Sequence, residues 1–313
     1  MTFQRFFERT LIINIMKIKN FLLIFFLIIL LNACSNHITL KILRVGFIPS
    51  ENMAQVLANA QPLIDLMSKK LNMEIQPFVA TDYTSVVEAF RAGKLDVGFL
   101  SPAAYVMAKQ QADVIGILKS HRHGSPYYYA AIITRTDSKI NSLKDLKNKS
   151  FAFGDPLSTT GHIFPKKMFL NVGMNPDTAF KNIIYSGGHD ATVLAVLNKK
   201  VDAGATYSNN TRGDDASWHQ FLRPEEAKLI KAIDYSEPIP SDNITVRATL
   251  GKELIDKITK IFIDYSNDKE GQALMRELYY LDGFIPSTDK DFESVREAFD
   301  IAGIDISEAM SKK

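Results

Sequence analysis

Apolar residues recur along this chain with two alternating periods. Residues 43–48 read as a short strand closed by Pro49. Met53, Val56, Leu57, Ala60, Ile64, Met67 and Leu71 then fall at spacings of three and four, one face of a helix. Residues 74–79 give a second strand, Tyr83, Val86, Val87 and Phe90 a second helix, and residues 95–100 a third strand. Ser101-Pro102 opens a helix carrying Tyr105, and residues 114–118 and 127–134 are further strands. Strands alternating with helices predict parallel βαβ units.

The pattern restarts after Asp137. A short helix over 143–147 precedes a strand over 150–153, a hydroxyl-rich loop and a helix that stops near Gly173. Residues 182–185 form a strand, Gly187-Gly188-His189-Asp190 a loop, 191–197 a helix and 201–206 a strand ending at Tyr207. One internal echo joins the halves. Ala89-Phe90-Arg91-Ala92-Gly93-Lys94-Leu95-Asp96-Val97-Gly98 aligns with Ala195-Val196-Leu197-Asn198-Lys199-Lys200-Val201-Asp202-Ala203-Gly204. Each copy leaves a helix, turns and enters a buried strand, as two lobes of similar build would. Residues 228–234 are another strand, and the Pro-rich run 236–243 cannot continue a regular element. A strand over 244–247 follows, then helices over 254–265, 271–280 and 292–301, interrupted by Gly283-Phe284-Ile285-Pro286. The expected organisation is lobe 1 from residues 43–134 and 244–313, lobe 2 from 138–235, and crossovers at 134–137 and 236–243. A ligand would then lie between the lobes, at loops following the C-terminal ends of strands.

The length of 313 residues accommodates two lobes, and a net charge of +2 with mixed acids and bases offers no stripe for nucleic acid. Lys17 and Lys19 precede an apolar run over 21–31, too short for a comfortable membrane span. Residues 1–33 therefore read as a signal peptide, with Met16 the expected true start. The single cysteine, Cys34, follows Ala33 and resembles the lipobox of bacterial lipoproteins, although Asn32 is larger than the usual residue there. Residues 34–42 would be a lipidated leader, and the protein an exported lipoprotein, periplasmic or at the cell surface. A plain secretion signal is the alternative. With one cysteine no internal disulfide can form.

The candidate chemistry centres on residues 154–165. Gly154 and Pro156 break the strand before it, and Ser158, Thr159, Thr160, Gly161 and His162 open the next helix. A helix start lined with hydroxyls suits an anion, because free N–H groups and the dipole favour negative charge. It suits an ordinary Ser/Thr cap equally. Ser101 with Tyr105, the His189-Asp190 loop, Tyr128 and Tyr207 would face the same cleft. This set is rich in neutral donors and poor in Lys and Arg. A carboxylate at Asp190 only accepts hydrogen bonds, so beside an oxyanion it demands a proton or an amine on the ligand and disfavours sulfate. Asp190 could also cap its own helix. Ser158, His162 and Asp190 have the residue types of a hydrolase triad but lack a Gly-x-Ser-x-Gly elbow. Gly161 is followed by His rather than Lys, so the loop is no Walker A motif. His121-Arg122-His123 reads as a solvated strand end rather than a metal site, and no cofactor is expected.

Asp155-Pro156-x-Ser158-Thr159-Thr160-Gly161-His162, Gly188-His189-Asp190 with Leu194-Ala195-Val196, Lys200-Val201-Asp202, Ser101-Pro102 with Tyr105, and Ser236-x-Pro238-Ile239-Pro240 together resemble the phosphate/phosphonate-binding proteins of ABC importers, phosphite binders included. The resemblance spans about residues 43–301. It implies an α/β, two-lobed periplasmic-binding-protein fold of the second topological type. It also implies a small phosphorus oxyanion bound at Ser158, Thr159, Thr160 and His162, with His189 and Asp190 meeting its protonated oxygen or amine. Tyr105 and Tyr128 carry over from the first lobe. The partners implied are a membrane permease and its ATPase, with the binding protein acting as a monomer that catalyses no reaction. An anion-sensing lipoprotein that signals to a membrane partner is the alternative, and a hydrolase using the same cleft a further one.

Overall fold

The computed structural model describes residues 42–305, apart from the side chains of residues 274 and 277–279. The expected signal segment, Met16 and Cys34 lie outside the described residues. Among the described residues no helix is long and apolar enough to cross a membrane.

Lobe 1 is built on β1 (Ile42–Phe47), α1 (Met53–Leu71), β2 (Glu74–Val79), α2 (Tyr83–Arg91), β3 (Val97–Leu100), α3 (Pro102–Gln111) and β4 (Val114–His121). The chain then supplies β5 (Tyr127–Arg135), β6 (Ser150–Phe153), α4 (Phe164–Asn171), β7 (Asn182–Tyr185), α5 (His189–Leu197), β8 (Ala203–Ser208), β9 (Ile230–Tyr235) and the two-residue β10 (Ile239–Pro240). It returns as β11 (Asn243–Arg247), α6 (Lys252–Asn267), α7 (Lys269–Tyr279), β12 (Gly283–Pro286) and α8 (Glu293–Ile301).

Two six-stranded sheets result. The first has the order β12-β4-β11-β3-β1-β2, and the second β10-β5-β8-β6-β7 with β9 also on β5. In each sheet the third βαβ strand is flanked by an antiparallel strand from the other half of the chain: β11 beside β3, and β5 beside β8. This reciprocal exchange welds the lobes into one fold.

The ladder corrects three expectations. Residues 127–134 were placed in lobe 1, but β5 bonds β8, β9 and β10 and so belongs to the second sheet. The outgoing crossover is thus at residues 122–126, where an Arg122–Ser125 bridge closes a turn, rather than at 134–137. Residues 283–286, expected to break a helix, form an edge strand on β4. Ile239 and Pro240 in the Pro-rich run still pair with β5, at the edge, where a missing N–H costs nothing.

The sequence echo has a physical basis. Asp96, just before β3, accepts from the Arg44 N–H of β1 at 3.0 Å, and Asp202, just before β8, accepts from the Ser150 N–H of β6 at 2.8 Å. Each carboxylate ties the third strand of its lobe to the first. The glycines of the echo make room for the preceding helix. A Cβ on Gly98 would lie 2.6 Å from the Phe90 ring, and one on Gly204 2.7 Å from the Thr192 methyl. The copies differ in burial: Asp96 is fully buried and also pairs with Arg44 and Arg247, whereas Asp202 is exposed. Asp96→Ala should therefore destabilise by about 2–4 kcal/mol, because it strands two partly buried guanidinium groups, and Asp202→Ala by about 1 kcal/mol. Urea unfolding of both variants checks this ordering; equal costs would contradict it.

Candidate functional site

Residues 154–163 leave β6 and fold back on themselves. Gly154 N–H donates to the Gly161 carbonyl at 2.9 Å. The two glycines lie so close that a Cβ on Gly161 would meet Gly154 Cα at 3.1 Å and Ser158 Oγ at 2.8 Å. Ser158 caps the turn that follows, its Oγ accepting from Gly161 N–H at 3.0 Å. Thr159–Ile163 is a wide π-type turn that runs straight into α4. The N–H groups of its first residues have no acceptor within the helix.

This loop packs against helix starts of lobe 1. Thr159 Oγ1 accepts from the Ala103 N–H of α3 at 2.9 Å, and Asp155 Oδ2 from the Tyr83 N–H of α2 at 3.3 Å. On the far side of the cleft His189 N–H, at the start of α5, donates to the Ser50 carbonyl at 2.9 Å. Several helix N-termini thus converge between the lobes, and their partial positive charges sum without a net cation.

They surround a cavity of about 210 Å³. Of the residues expected at the site, Ser101, Tyr128, Ser158, Thr160, His189 and Tyr207 line it. Thr159 and Gly161 instead build the loop through the bonds just described. Three placements differ from expectation. His162 turns away from the cavity: its Nδ1 donates to the Pro156 carbonyl at 2.7 Å, and its ring packs edge-on to Phe153 and Tyr185. Tyr105 sits one turn into α3 and points into lobe 1, where its hydroxyl donates to Asp289 Oδ1 at 2.8 Å and its ring meets Phe292. Asp190 lines a second pocket with Glu51, Asp155 and Gly188. There burial, followed by the Asp190 charge, raises the Glu51 pKa from its ordinary value.

Other residues enter the wall that the sequence did not single out. Tyr83 is 1 % exposed, and its hydroxyl neighbours the Ser158 hydroxyl. Burial, then the Asp155 charge, pushes its pKa well up, so it stays a neutral donor. Arg122 also lines the cavity. Its guanidinium donates to Asp242 Oδ2 and Ser120 Oγ, both at 3.2 Å, which offsets the charge. Burial raises the Asp242 pKa, against the pull of Arg122 and a hydrogen bond from Tyr128. Asn243 is 1 % exposed at the start of β11, and its Oδ1 accepts from Thr245. Its Nδ2 has no partner among the described residues and belongs to the cavity wall. The sequence signal for these last two is the polar run Ser241-Asp242-Asn243 immediately before an apolar strand.

Ser158, His162 and Asp190 do not assemble into a triad, since each has a different partner or pocket. Among the described residues no cluster of side chains is suited to a metal ion.

Two lobes whose sheets exchange a strand, with a cavity at their boundary, define the two-lobed periplasmic-binding-protein fold of the second topological type. The family of the ABC transporter, phosphonate, periplasmic substrate-binding protein matches residues 45–292, and the chain belongs to it. It is 30% identical over 282 residues to the phosphate-import protein PhnD of Mycolicibacterium smegmatis, covering 83% of this chain and 86% of that one. It is 30% identical over 262 residues to the phosphonates-binding periplasmic protein of Escherichia coli, covering 82% and 75% of the two chains. Its structure is similar to that of a binding protein component of an ABC phosphonate transporter from Pseudomonas aeruginosa, with a TM-score of 0.75 and 26% identity over 84% of this chain and 87% of that one.

His162 and His189 are both buried neutral, and desolvation lowers each pKa from 6.5 to about 4. The unfolded chain takes up these protons first, so their contribution to stability is complete above pH 6.5 and is lost as pH falls through about 4. Melting temperature measured across this range should fall on acidification. His162→Gln, which keeps a donor for the Pro156 carbonyl, should flatten the fall. A melting temperature of the parent protein that is constant over the range would contradict the burial of both rings as neutral groups.

Proposed function

We propose that this chain is the solute-binding component of an ABC importer and captures a phosphorus oxyanion between its lobes. The observation that carries this reading is the convergence of helix starts and neutral hydroxyls on one interlobe cavity. The anion sits on the turn that begins at Ser158. Ser158, Thr160 and the free N–H groups of that turn donate from lobe 2. Tyr83, Ser101 and the unpartnered Asn243 amide donate from lobe 1, while Tyr128, His189 and Tyr207 complete the wall. Thr159, Gly161 and His162 hold the turn in place. Because donors come from both lobes, binding favours the state in which the lobes are apposed.

Asp190 drops out of the contact set, and Asp242 takes over the role assigned to it. An ionised carboxylate in the wall accepts only, so it favours a ligand oxygen that carries a proton. Phosphite, phosphate and phosphonates carry one near neutral pH, and sulfate does not. The relatives' names, one for phosphate import and one for phosphonate binding, point to the same anions. The Ser158 hydroxyl accepts from the Gly161 N–H and lies beside the Tyr83 hydroxyl, a setting that suits capture. Export, a lipid anchor at Cys34, a monomeric state and delivery to a permease and ATPase complete the proposal. A sensor lipoprotein would use the same site with a different membrane partner.

Calorimetric titration with phosphite, phosphate, methylphosphonate and sulfate tests the reading. The phosphorus anions should bind and be recovered unchanged, and sulfate should bind far more weakly. Ser158→Ala and Asn243→Ala should each weaken binding by about 1–3 kcal/mol, since each removes a donor to a buried charge. Sulfate binding as tightly as the phosphorus anions would rule out the role of Asp242, and unchanged affinity in both variants would move the site elsewhere.

A further inference from the structure

Helices at the lobe boundary take part of their N-terminal capping from the opposite lobe. In α2 the helix's own cap, Asp82, accepts from the Ser85 N–H at 2.7 Å, and the Tyr83 N–H is left to Asp155 of lobe 2. In α3 Ser101 accepts from the Ala104 N–H at 3.2 Å, and the Ala103 N–H is left to Thr159 of lobe 2. The exchange also runs the other way. Gly188 offers α5 no side chain as a cap, and the His189 N–H is taken by the Ser50 carbonyl of lobe 1. The acceptors Asp155 and Thr159 are 6 % and 1 % exposed, so bulk water competes little for these bonds. Asp155 does two jobs at once. Its Oδ1 accepts from the Leu157 N–H of its own loop at 2.7 Å and its carbonyl from the Ser158 N–H at 2.8 Å, while its Oδ2 reaches across to α2. The same loop thereby meets Tyr83 at both ends, Asp155 at its N–H and Ser158 beside its hydroxyl. A carboxylate at the start of α2 also complements the dipole of that helix.

We propose that Asp155 is a positioning residue for capture: its carboxylate latches the Ser158 turn of lobe 2 to the start of α2 in lobe 1, and so sets how far the lobes favour the apposed state before any ligand contact is made. This inference rests on the reading of that turn as the anion seat and adds a contribution to closure that the ligand does not supply. The bonds made by Asp155 and Thr159 across the boundary form only while the lobes are together. A competent state populated in advance raises the apparent affinity in proportion to its population. The latch also slows release, because it has to open before the anion can leave.

Asp155→Asn separates the two jobs of the carboxylate. The amide keeps one acceptor for the Leu157 N–H and turns its NH2 toward the Tyr83 N–H, donor against donor. The turn keeps its shape while the latch is lost. X-ray scattering of the ligand-free protein should give a larger radius of gyration for the variant than for the parent, and saturating methylphosphonate should bring both to the same value. Affinity for methylphosphonate should fall by about tenfold, the low end of what a lost hydrogen bond to a charged group costs, and stopped-flow kinetics should place the loss in the dissociation rate. Thr159→Val tests the cap on α3 independently and should act in the same direction, whereas Thr159→Ser, which keeps the acceptor for the Ala103 N–H, should match the parent. Equal ligand-free radii in the parent, Asp155→Asn and Thr159→Val would overturn the proposal and leave the anion seat standing. A parent protein that binds neither methylphosphonate nor phosphate would overturn the seat, and the ligand-free radii would still decide the latch.

Discussion

The approach of Gly154 to Gly161 sets the geometry of the cleft. A Cβ at either position would press on the facing backbone at 3.1–3.2 Å, and at Gly161 also on Ser158 Oγ at 2.8 Å, so β6 and the following turn would have to move apart. With both absent, the backbones lie against each other and the Gly154 N–H closes on the Gly161 carbonyl. His162 then locks the outer side of the loop through the Pro156 carbonyl. What is left facing inward is the Ser158 and Thr160 hydroxyls and the first N–H groups of the turn. A site of this kind is organised before a ligand arrives, so little reorganisation is charged against binding.

Electrostatically the cleft is a compromise. Helix starts from both lobes supply partial positive charge, and the Arg122 guanidinium in the wall is offset by Asp242. A full unpaired cation would hold a divalent anion strongly but would also hold any anion. Neutral donors plus one accepting carboxylate recognise where the ligand's proton is. The acidic pair Glu51 and Asp190 shares a second pocket, and Glu51 also borders the main cavity. The same lobe boundary thus carries an anion-attracting centre and an anion-repelling rim.

Much of this architecture was legible from local chemistry. The echo of residues 89–98 in 195–204 marked two lobes of like build because each needs an aspartate to bind the first strand and a glycine to admit the helix. The loop at 154–165 declared itself through its glycines and hydroxyls. Less legible was anything decided by assembly. Periodicity does not say which strand a strand will pair with, so β5 was read into the wrong lobe. It does not say which way a ring will point, so Tyr105 and His162 were expected in the cavity, whereas packing in the lobe interiors claims both. Tyr83 read as a core position of α2, and its hydroxyl reaches Ser158 only because the lobes meet. Asp242 and Asn243 lay inside a run that looked like a bare connector.

The most direct measurement is a crystal structure of the protein with methylphosphonate. The account predicts the phosphonate oxygens on the Ser158 and Thr160 hydroxyls and the N–H groups of the turn, with Asn243 and Tyr83 closing on them from lobe 1. Density for the ligand in the pocket between Glu51 and Asp190, or anywhere outside the interlobe cavity, would contradict it.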